Sequence, residues 1–125
     1  MNTLIVSGYP MLAHVISGFV SDMKLGGVDR ALESQTALAK IMSGQFGIVL
    51  CDWILMPQTG IQVLNAVRTS PGVARLPFVL MFADSSREKI EAARAAGVSA
   101  WLVKPFDRSI LRAAMESALA FAVRA

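Results

Sequence analysis

Short apolar segments alternate along the chain with longer segments in which apolar residues recur at helical spacing. The apolar segments are typical of strands buried on both faces of a parallel sheet. The second of them is interrupted by Asp29 and Arg30, as an edge strand would be. The pattern predicts strands at residues 3–6, 28–32, 46–52, 78–82 and 100–103.

The intervening segments carry the start and stop signals of helices. Pro10 suits the first position of a helix that continues to about Lys24. Its apolar face is predicted to contain Leu12, Val15, Ile16, Phe19, Val20 and Met23. Further helix starts are predicted at Ser34, as an N-cap, at Gly60, at a Ser85–Glu88 capping box and after a cap by Asp107. Five strand–helix units imply right-handed crossovers and one α/β domain over residues 1–125, with a parallel sheet covered on both faces.

A parallel sheet brings the carboxyl ends of its strands to one edge, and in open α/β sheets ligands bind there. A carboxylate inside a buried strand would be costly, so Asp52 is expected at the end of its strand. The same edge receives the residues that follow or end the neighbouring strands, namely Ser7, Gly8, Phe82 and Lys104.

Composition narrows the class of protein. Hydrophobic residues make up 54% of the chain, yet no run approaches the length of a transmembrane helix and no signal peptide is predicted, so no membrane association is expected. The net charge of +3 comes from basic residues interleaved with acidic ones, which does not favour nucleic-acid binding. The single cysteine, Cys51, cannot form an internal disulfide and is expected to be a small buried hydrophobe in a cytoplasmic protein. The only histidine, His14, is expected to be a solvated helix residue.

Three features together resemble a response-regulator receiver domain: the run Leu50-Cys51-Asp52-Trp53, a glycine at Gly60 eight residues after the aspartate, and Lys104-Pro105-Phe106 at the end of the fifth strand. The resemblance covers essentially the whole chain. It implies a doubly wound (βα)5 fold of the flavodoxin or CheY type, with five parallel strands in the order 2-1-3-4-5.

The resemblance also implies roles for individual residues. Asp52 matches the aspartate that accepts a phosphoryl group from a histidine kinase, and Lys104 matches the lysine that pairs with it and with the phosphate. The Lys104–Pro105 peptide is expected to be cis, and Trp101 matches the aromatic residue that responds to phosphorylation.

Other positions depart from the family pattern. The acidic pair that helps to hold Mg²⁺ falls at Ser7 and Gly8, and the phosphoryl-binding hydroxyl falls at Phe82. The usual Met-Pro after the aspartate is displaced by one residue, to Met56-Pro57. Mg²⁺ prefers six hard oxygen ligands, and positioned cations carry most of the catalysis of phosphoryl transfer. We therefore expect no bound metal or other cofactor, and direct contact between Lys104 and Asp52.

Three functions are compatible with these residues. The favoured one is an atypical receiver that acts as a protein-interaction module in signalling without Mg²⁺-dependent phosphorylation. The alternative is a working response regulator phosphorylated on Asp52 by a histidine kinase. A third, an enzyme with Asp52 as nucleophile, would need a second acid at the position of Ile54, so no catalytic residue is assigned.

Partners are expected on the face formed by the fourth helix, the fifth strand and the fifth helix, because receivers use that face. The partner would be a histidine kinase, an output protein or a second copy of the chain. Arginine and tryptophan are enriched at binding hot spots. The residues predicted on this face are Arg87, Glu91, Arg94, Trp101, Arg108 and Arg112.

Overall fold

The structure is a computed structural model that describes residues 1–84 and 86–124, with side chains described as far as residue 120. Strands and helices alternate throughout. The strands are β1 (Thr3–Val6), β2 (Val28–Ala31), β3 (Ile48–Asp52), β4 (Phe78–Phe82) and β5 (Ala100–Val103). The helices are α1 (Pro10–Asp22), α2 (Ser34–Met42), α3 (Gly60–Arg68), α4 (Arg87–Ala95) and α5 (Arg108–Arg124). Among the described residues, no helix has the length and apolarity needed to span a membrane.

All five strands are parallel and lie in the order β2-β1-β3-β4-β5, which confirms the predicted (βα)5 fold. The first three strands in space are aligned so that Val6 lies beside Ala31 on one side and Cys51 on the other. Asp52 lies beside Met81 of β4. This register brings the ends of β1, β3 and β4 level with one another at the edge where Asp52 lies.

The sheet separates two apolar layers because successive side chains in a strand point to opposite faces. Along β3, Ile48 and Leu50 pack in the layer that contains buried residues of α1 and α5. Val49 and Cys51 pack in the layer that contains buried residues of α2, α3 and α4. Each of these four side chains is fully buried, as expected for a central parallel strand.

Two predicted helix starts differ from the structure. The N-cap of α2 is Glu33, whose carboxylate accepts hydrogen bonds from the backbone N–H groups of Gln35 and Thr36. The prediction of Ser34 as N-cap is wrong, because Ser34 is the first helical residue and its buried hydroxyl donates to Gln58 Oε1 at 2.6 Å. Ser85 of the predicted capping box lies outside the described residues, and the N-cap of α4 is Ser86.

Candidate functional site

Asp52 is the last residue of β3, and its side chain is buried. Its carboxylate oxygen Oδ2 accepts a hydrogen bond of 2.6 Å from the hydroxyl of Ser7, which follows β1. The Ser7 oxygen in turn accepts a hydrogen bond of 3.2 Å from the backbone N–H of Tyr9. The end of β3 therefore carries a buried carboxylate, and the neutral hydroxyl of Ser7 is a hydrogen-bond donor to it.

The ammonium of Lys104 compensates the charge of Asp52. Its Nζ lies 2.5 Å from Asp52 Oδ1, and the lysine side chain is 22% exposed. The same Oδ1 has no hydrogen-bond donor in good alignment among the described residues, although the ammonium is so close. We treat the contact as an ion pair, because Coulomb attraction depends on distance and does not require an aligned N–H bond.

The chain after β5 holds Lys104 in this position. Its backbone N–H donates to the carbonyl of Phe82 at 2.8 Å, which extends the pairing of β4 and β5 by one residue. The peptide bond from Lys104 to Pro105 is cis. The ammonium also lies 5.5 Å from the ring centroid of Tyr9, within the range of a cation–π contact.

The loop between β3 and α3 is tied to the beginning of α2. The backbone N–H of Ser34 donates to the carbonyl of Met56 at 2.8 Å, and the N–H of Gln58 donates to the Ser34 hydroxyl at 2.9 Å. The Met56–Pro57 peptide bond is cis. Ser34, which sequence reasoning assigned to a helix cap, thus serves as an anchor for the loop that follows Asp52.

Gly60 is required where this loop enters α3. Its N–H donates to the carbonyl of Trp53 at 2.9 Å. A Cβ atom at this position would lie 2.1 Å from the carbonyl oxygen of Asp52, a distance at which the backbone would have to move. The glycine therefore allows α3 to start directly against the strand end that carries Asp52.

Phe82, the residue that we expected at the family's hydroxyl position, is the last residue of β4. The side chain is fully buried. Its ring meets the ring of Trp53 edge to face, with centroids 5.4 Å apart and planes at 63°. The Phe82 ring thus packs in the apolar layer that contains Val49 and Cys51, and it has no polar atom to offer a ligand.

Trp101 and Cys51 differ in their exposure to solvent. Trp101 is half-buried, and the guanidinium of Arg94 lies 5.2 Å from its ring centroid. Cys51 is fully buried, and burial followed by the neighbouring charge of Asp52 raises the pKa of its thiol well above the usual range. Since the thiolate is the reactive form, Cys51 behaves as the small hydrophobe that was expected.

The prediction that Arg108 and Arg112 lie with Trp101 on one face is wrong. Arg108 donates to Asp22 of α1 at 2.6 Å and stacks over the ring of Phe19 at 4.9 Å. Arg112 borders a small hollow beside α1, together with Met23, Leu25, Met115, Glu116 and Leu119. The sequence alone did not indicate which side of α5 would turn towards α1.

Sequence reasoning also missed functional candidates. Val103, at the end of β5, is 36% exposed, and Ile110 of α5 is 50% exposed. Ser7 was noted only for the carboxylate it lacks, although it is the hydrogen-bond donor to Asp52. The predicted strand order, with β1 beside β3, was the signal that could have identified this contact.

The donor set around Asp52 does not fit Mg²⁺. Asp52 contributes the carboxylate, and both of its oxygens have a partner in contact, Ser7 on one side and Lys104 on the other. Gly8 has no side chain to offer. Within the described residues, no group of three or more His, Cys, Asp and Glu side chains comes together as a metal site would require.

The parallel order 2-1-3-4-5, with an aspartate at the end of β3 facing a lysine after β5, defines a doubly wound α/β protein of the flavodoxin-like class. Residues 3–116 match the family of response regulator receiver domains. The chain belongs to this family, and it is a receiver domain of the kind found in two-component signalling.

Curated relatives and solved structures agree with this assignment. The chain is 32% identical to chemotaxis protein CheY of Pseudomonas aeruginosa over 116 residues, which cover 93% of this chain and 94% of the relative. It is 30% identical to chemotaxis protein CheY-3 of Vibrio cholerae, over 90% of this chain and 86% of that protein. The structure of chemotaxis response regulator CheY4 of Vibrio cholerae superposes with a TM-score of 0.87 at 26% identity, covering 94% of this chain and 98% of that one.

Proposed function

We propose that this receiver domain acts as a protein-interaction module whose Asp52 is not phosphorylated in a Mg²⁺-dependent reaction. The observation that carries the proposal is the hydrogen bond that the Ser7 hydroxyl donates to the Asp52 carboxylate. Ser7 donates to one oxygen at 2.6 Å and Lys104 lies 2.5 Å from the other. The hydroxyl of Ser7, which stands at a position of the family's acidic pair, therefore faces the Asp52 carboxylate in place of a carboxylate that could bind a metal.

Charge supports the same proposal. Phosphoryl transfer to a carboxylate brings two negatively charged groups together, and cations that stabilise the transferred group carry most of the catalysis. Here Lys104 is the cation in contact with Asp52, and the acidic pair that would bring a divalent ion is replaced by Ser7 and Gly8. Phe82, at the position that the resemblance assigns to a hydroxyl, has a buried ring with no donor for phosphoryl oxygens.

The partner surface that we propose is the exposed edge formed by α4, β5 and α5. Trp101 with Arg94 above it provides an aromatic and cationic anchor of the type enriched in hot spots. Val103 and Ile110 add exposed apolar area, and Arg87 pairs with Glu91 at 3.0 Å on the outer side of α4. A signalling protein would bind this face, and the domain would have no enzymatic activity of its own.

The test is incubation of the purified protein with acetyl phosphate and Mg²⁺, followed by intact-mass measurement. We expect no species carrying an added phosphoryl group. The matched control is the Ser7→Asp/Gly8→Asp double variant, which restores the acidic pair. Gly8 has room for a side chain, because a Cβ there meets its nearest heavy atom, the Leu32 carbonyl oxygen, at an ordinary 3.7 Å. Stoichiometric phosphorylation of the unmodified chain on Asp52 would refute the proposal.

A working phosphoacceptor is the second candidate, and the intact Asp52–Lys104 pair favours it. Partner binding separates the two functions. If the domain is a constant interaction module, Asp52→Asn leaves partner capture unchanged while Trp101→Ala and Ile110→Asp weaken it. Loss of capture in Asp52→Asn with retention in the two surface variants would establish the phosphoacceptor instead.

A further inference from the structure

A second apolar surface lies on the molecule, away from the face formed by α4, β5 and α5. It borders the Asp52 edge and consists of large side chains from three loops and the first turn of α1. All of them are between 51% and 79% exposed, which is unusual for so many apolar residues in one place. We call this surface the edge patch, and its members are Tyr9, Met11, Leu32, Ile54 and Met56.

The edge patch contains both a depression and protruding side chains. A depression of about 280 Å³ lies within it, lined by Gly8, Tyr9, Leu32, Ile54, Leu55 and Met56. Met56, which lines the depression, is 72% exposed, and Met11, two residues after Tyr9 in the first turn of α1, is 79% exposed. Methionine is flexible and polarisable, so it fills irregular apolar hollows well. The same surface therefore offers protruding side chains and a depression that accepts such side chains.

None of the five members of the edge patch is charged, and the charged residues Glu33 and Lys104 next to it make contacts within the molecule. Glu33, which follows Leu32, caps α2 through the N–H groups of Gln35 and Thr36. Lys104, which lies under the ring of Tyr9, pairs with Asp52. An uncharged patch does not repel an identical patch, and it offers little to select a strongly charged partner.

We propose that the edge patch binds a second copy of this chain in a two-fold symmetric dimer. A two-fold interface joins the same patch on both copies, so the patch must be self-complementary. A surface that has both protruding side chains and a depression meets that condition. The five side chains expose on the order of 500 Å² per copy, so two copies would bury on the order of 1,000 Å². That area lies at the lower limit of specific interfaces, so the dimer is weak and reversible.

This dimer would have a defined effect on the rest of the molecule. It would cover the edge from which Asp52 is approached, and it would leave the face formed by α4, β5 and α5 free on each copy. The inference does not depend on the proposed function, because a domain that is phosphorylated could also dimerise in this way.

Sedimentation velocity over a concentration series tests the proposal. We expect reversible dimerisation at concentrations on the order of 100 µM, since the interface is small. Ile54→Asp and Met56→Asp should each raise the dissociation constant by roughly tenfold or more, because each buries a charge against an apolar partner. The matched control is Met42→Asp on α2, which replaces a side chain that is 45% exposed outside the edge patch and should have no effect.

Two results would overturn the proposal. A chain that stays monomeric at millimolar concentration has no such interface. A dimer that is abolished by Ile110→Asp and unaffected by Ile54→Asp and Met56→Asp uses the α5 side instead. Amide chemical shifts of the unmodified protein on dilution provide a test without mutation. Concentration-dependent shifts confined to residues 8–11, 32 and 54–56 support the edge patch, and shifts confined to residues 101–113 contradict it.

Discussion

Lys104 and Arg68 are partly buried cations at opposite edges of the sheet, and they bind different kinds of partner. Lys104 lies 2.5 Å from the buried carboxylate of Asp52 at the carboxyl edge. Arg68, at the end of α3, lies at the amino edge, and its hydrogen-bond partners among the described residues are neutral oxygens. It donates to the carbonyls of Gly97, Ala74 and Leu76 at 2.9, 3.1 and 2.7 Å, and to the Ser99 hydroxyl at 3.2 Å.

Lys104 compensates a buried charge, whereas Arg68 anchors loops through their carbonyl groups. Burial lowers the pKa of the Arg68 guanidinium, but the ordinary pKa of arginine is so high that the group stays charged among the carbonyls. The planar fork of arginine reaches several carbonyls at once, which joins the loops before β4 and β5. Lysine offers a compact point charge, which suits a single carboxylate. Removal of Lys104 should therefore destabilise the fold by leaving a buried charge without compensation. Removal of Arg68 should destabilise it by leaving carbonyl groups without a donor.

The largest effect is expected for Lys104→Met. This change keeps an apolar stem of similar length and leaves the Asp52 charge buried with the Ser7 hydroxyl as its hydrogen-bond donor. The free energy of unfolding should fall by about 2–4 kcal/mol, because breaking a buried pair leaves an uncompensated charge. Urea unfolding followed by circular dichroism measures this. The Lys104→Met/Asp52→Asn double variant should recover part of the loss, and no recovery would mean that Lys104 stabilises by packing.

Arg68→Met is expected to lower the free energy of unfolding somewhat less, by about 2–3 kcal/mol. The substitution keeps an apolar stem but leaves three carbonyls without their charged donor, and hydrogen bonds to charged groups are worth more than neutral ones. Unlike Lys104→Met, this loss should not be recovered by Asp52→Asn. The control is Arg75→Met, an exposed arginine in the adjoining loop, which should be within experimental error of the wild type. Equal losses in the two arginine variants would contradict the anchoring role.

A small effect is expected for Asp52→Asn alone. The amide oxygen still accepts from Ser7, and Lys104 is exposed enough to reach water. The free energy of unfolding should change by less than about 1 kcal/mol, since an amide is far cheaper to bury than a charge. Thermal unfolding of this variant and of Lys104→Met, measured in parallel, shows whether the charge or the lysine dominates. A loss as large as that of Lys104→Met would contradict this order.

The smallest effect is expected for the exposed pair of Lys40 and Asp29, whose charged atoms are 2.9 Å apart. The hydrogen bond from Lys40 lowers the pKa of Asp29 below its ordinary 3.8. A lowered folded-state pKa stabilises the protein above the ordinary value, and this stabilisation is lost as the pH falls through the folded-state value. Asp29→Asn should therefore cost less than about 1 kcal/mol at neutral pH. Unfolding at pH 7 and at low pH checks this, and a cost that grew on acidification would contradict it.

The fold could be predicted because its signals are local. Five short apolar runs separated by helical periodicity indicated strands, and the buried side chains of β3 alternate between the two layers as a central strand requires. The position of Asp52 at the end of β3 followed from the cost of burying a charge. Its full burial did not follow, because that depends on Ser7 and Lys104, which are distant in sequence.

The wrong predictions share a physical cause, which is long-range contact. Ser34 has the sequence of an N-cap, yet its hydroxyl is used by Gln58, 24 residues away, and Glu33 caps the helix. Arg108 lies on the exposed side of a regular helix, and only the docking of α5 on α1 brings it to Asp22. Helical periodicity identifies the buried side of a helix. It does not identify which neighbouring element each flank of that side will contact.

The edge-to-face contact of Trp53 with Phe82 gives the protein an optical reporter. Indole emission depends on the polarity and mobility of its surroundings, and Trp53 follows Asp52 directly in the chain. The second tryptophan, Trp101, lies under Arg94 on the face formed by α4, β5 and α5. Variants that retain one tryptophan each would therefore assign a change in fluorescence to the aspartate edge or to the partner face without any attached dye.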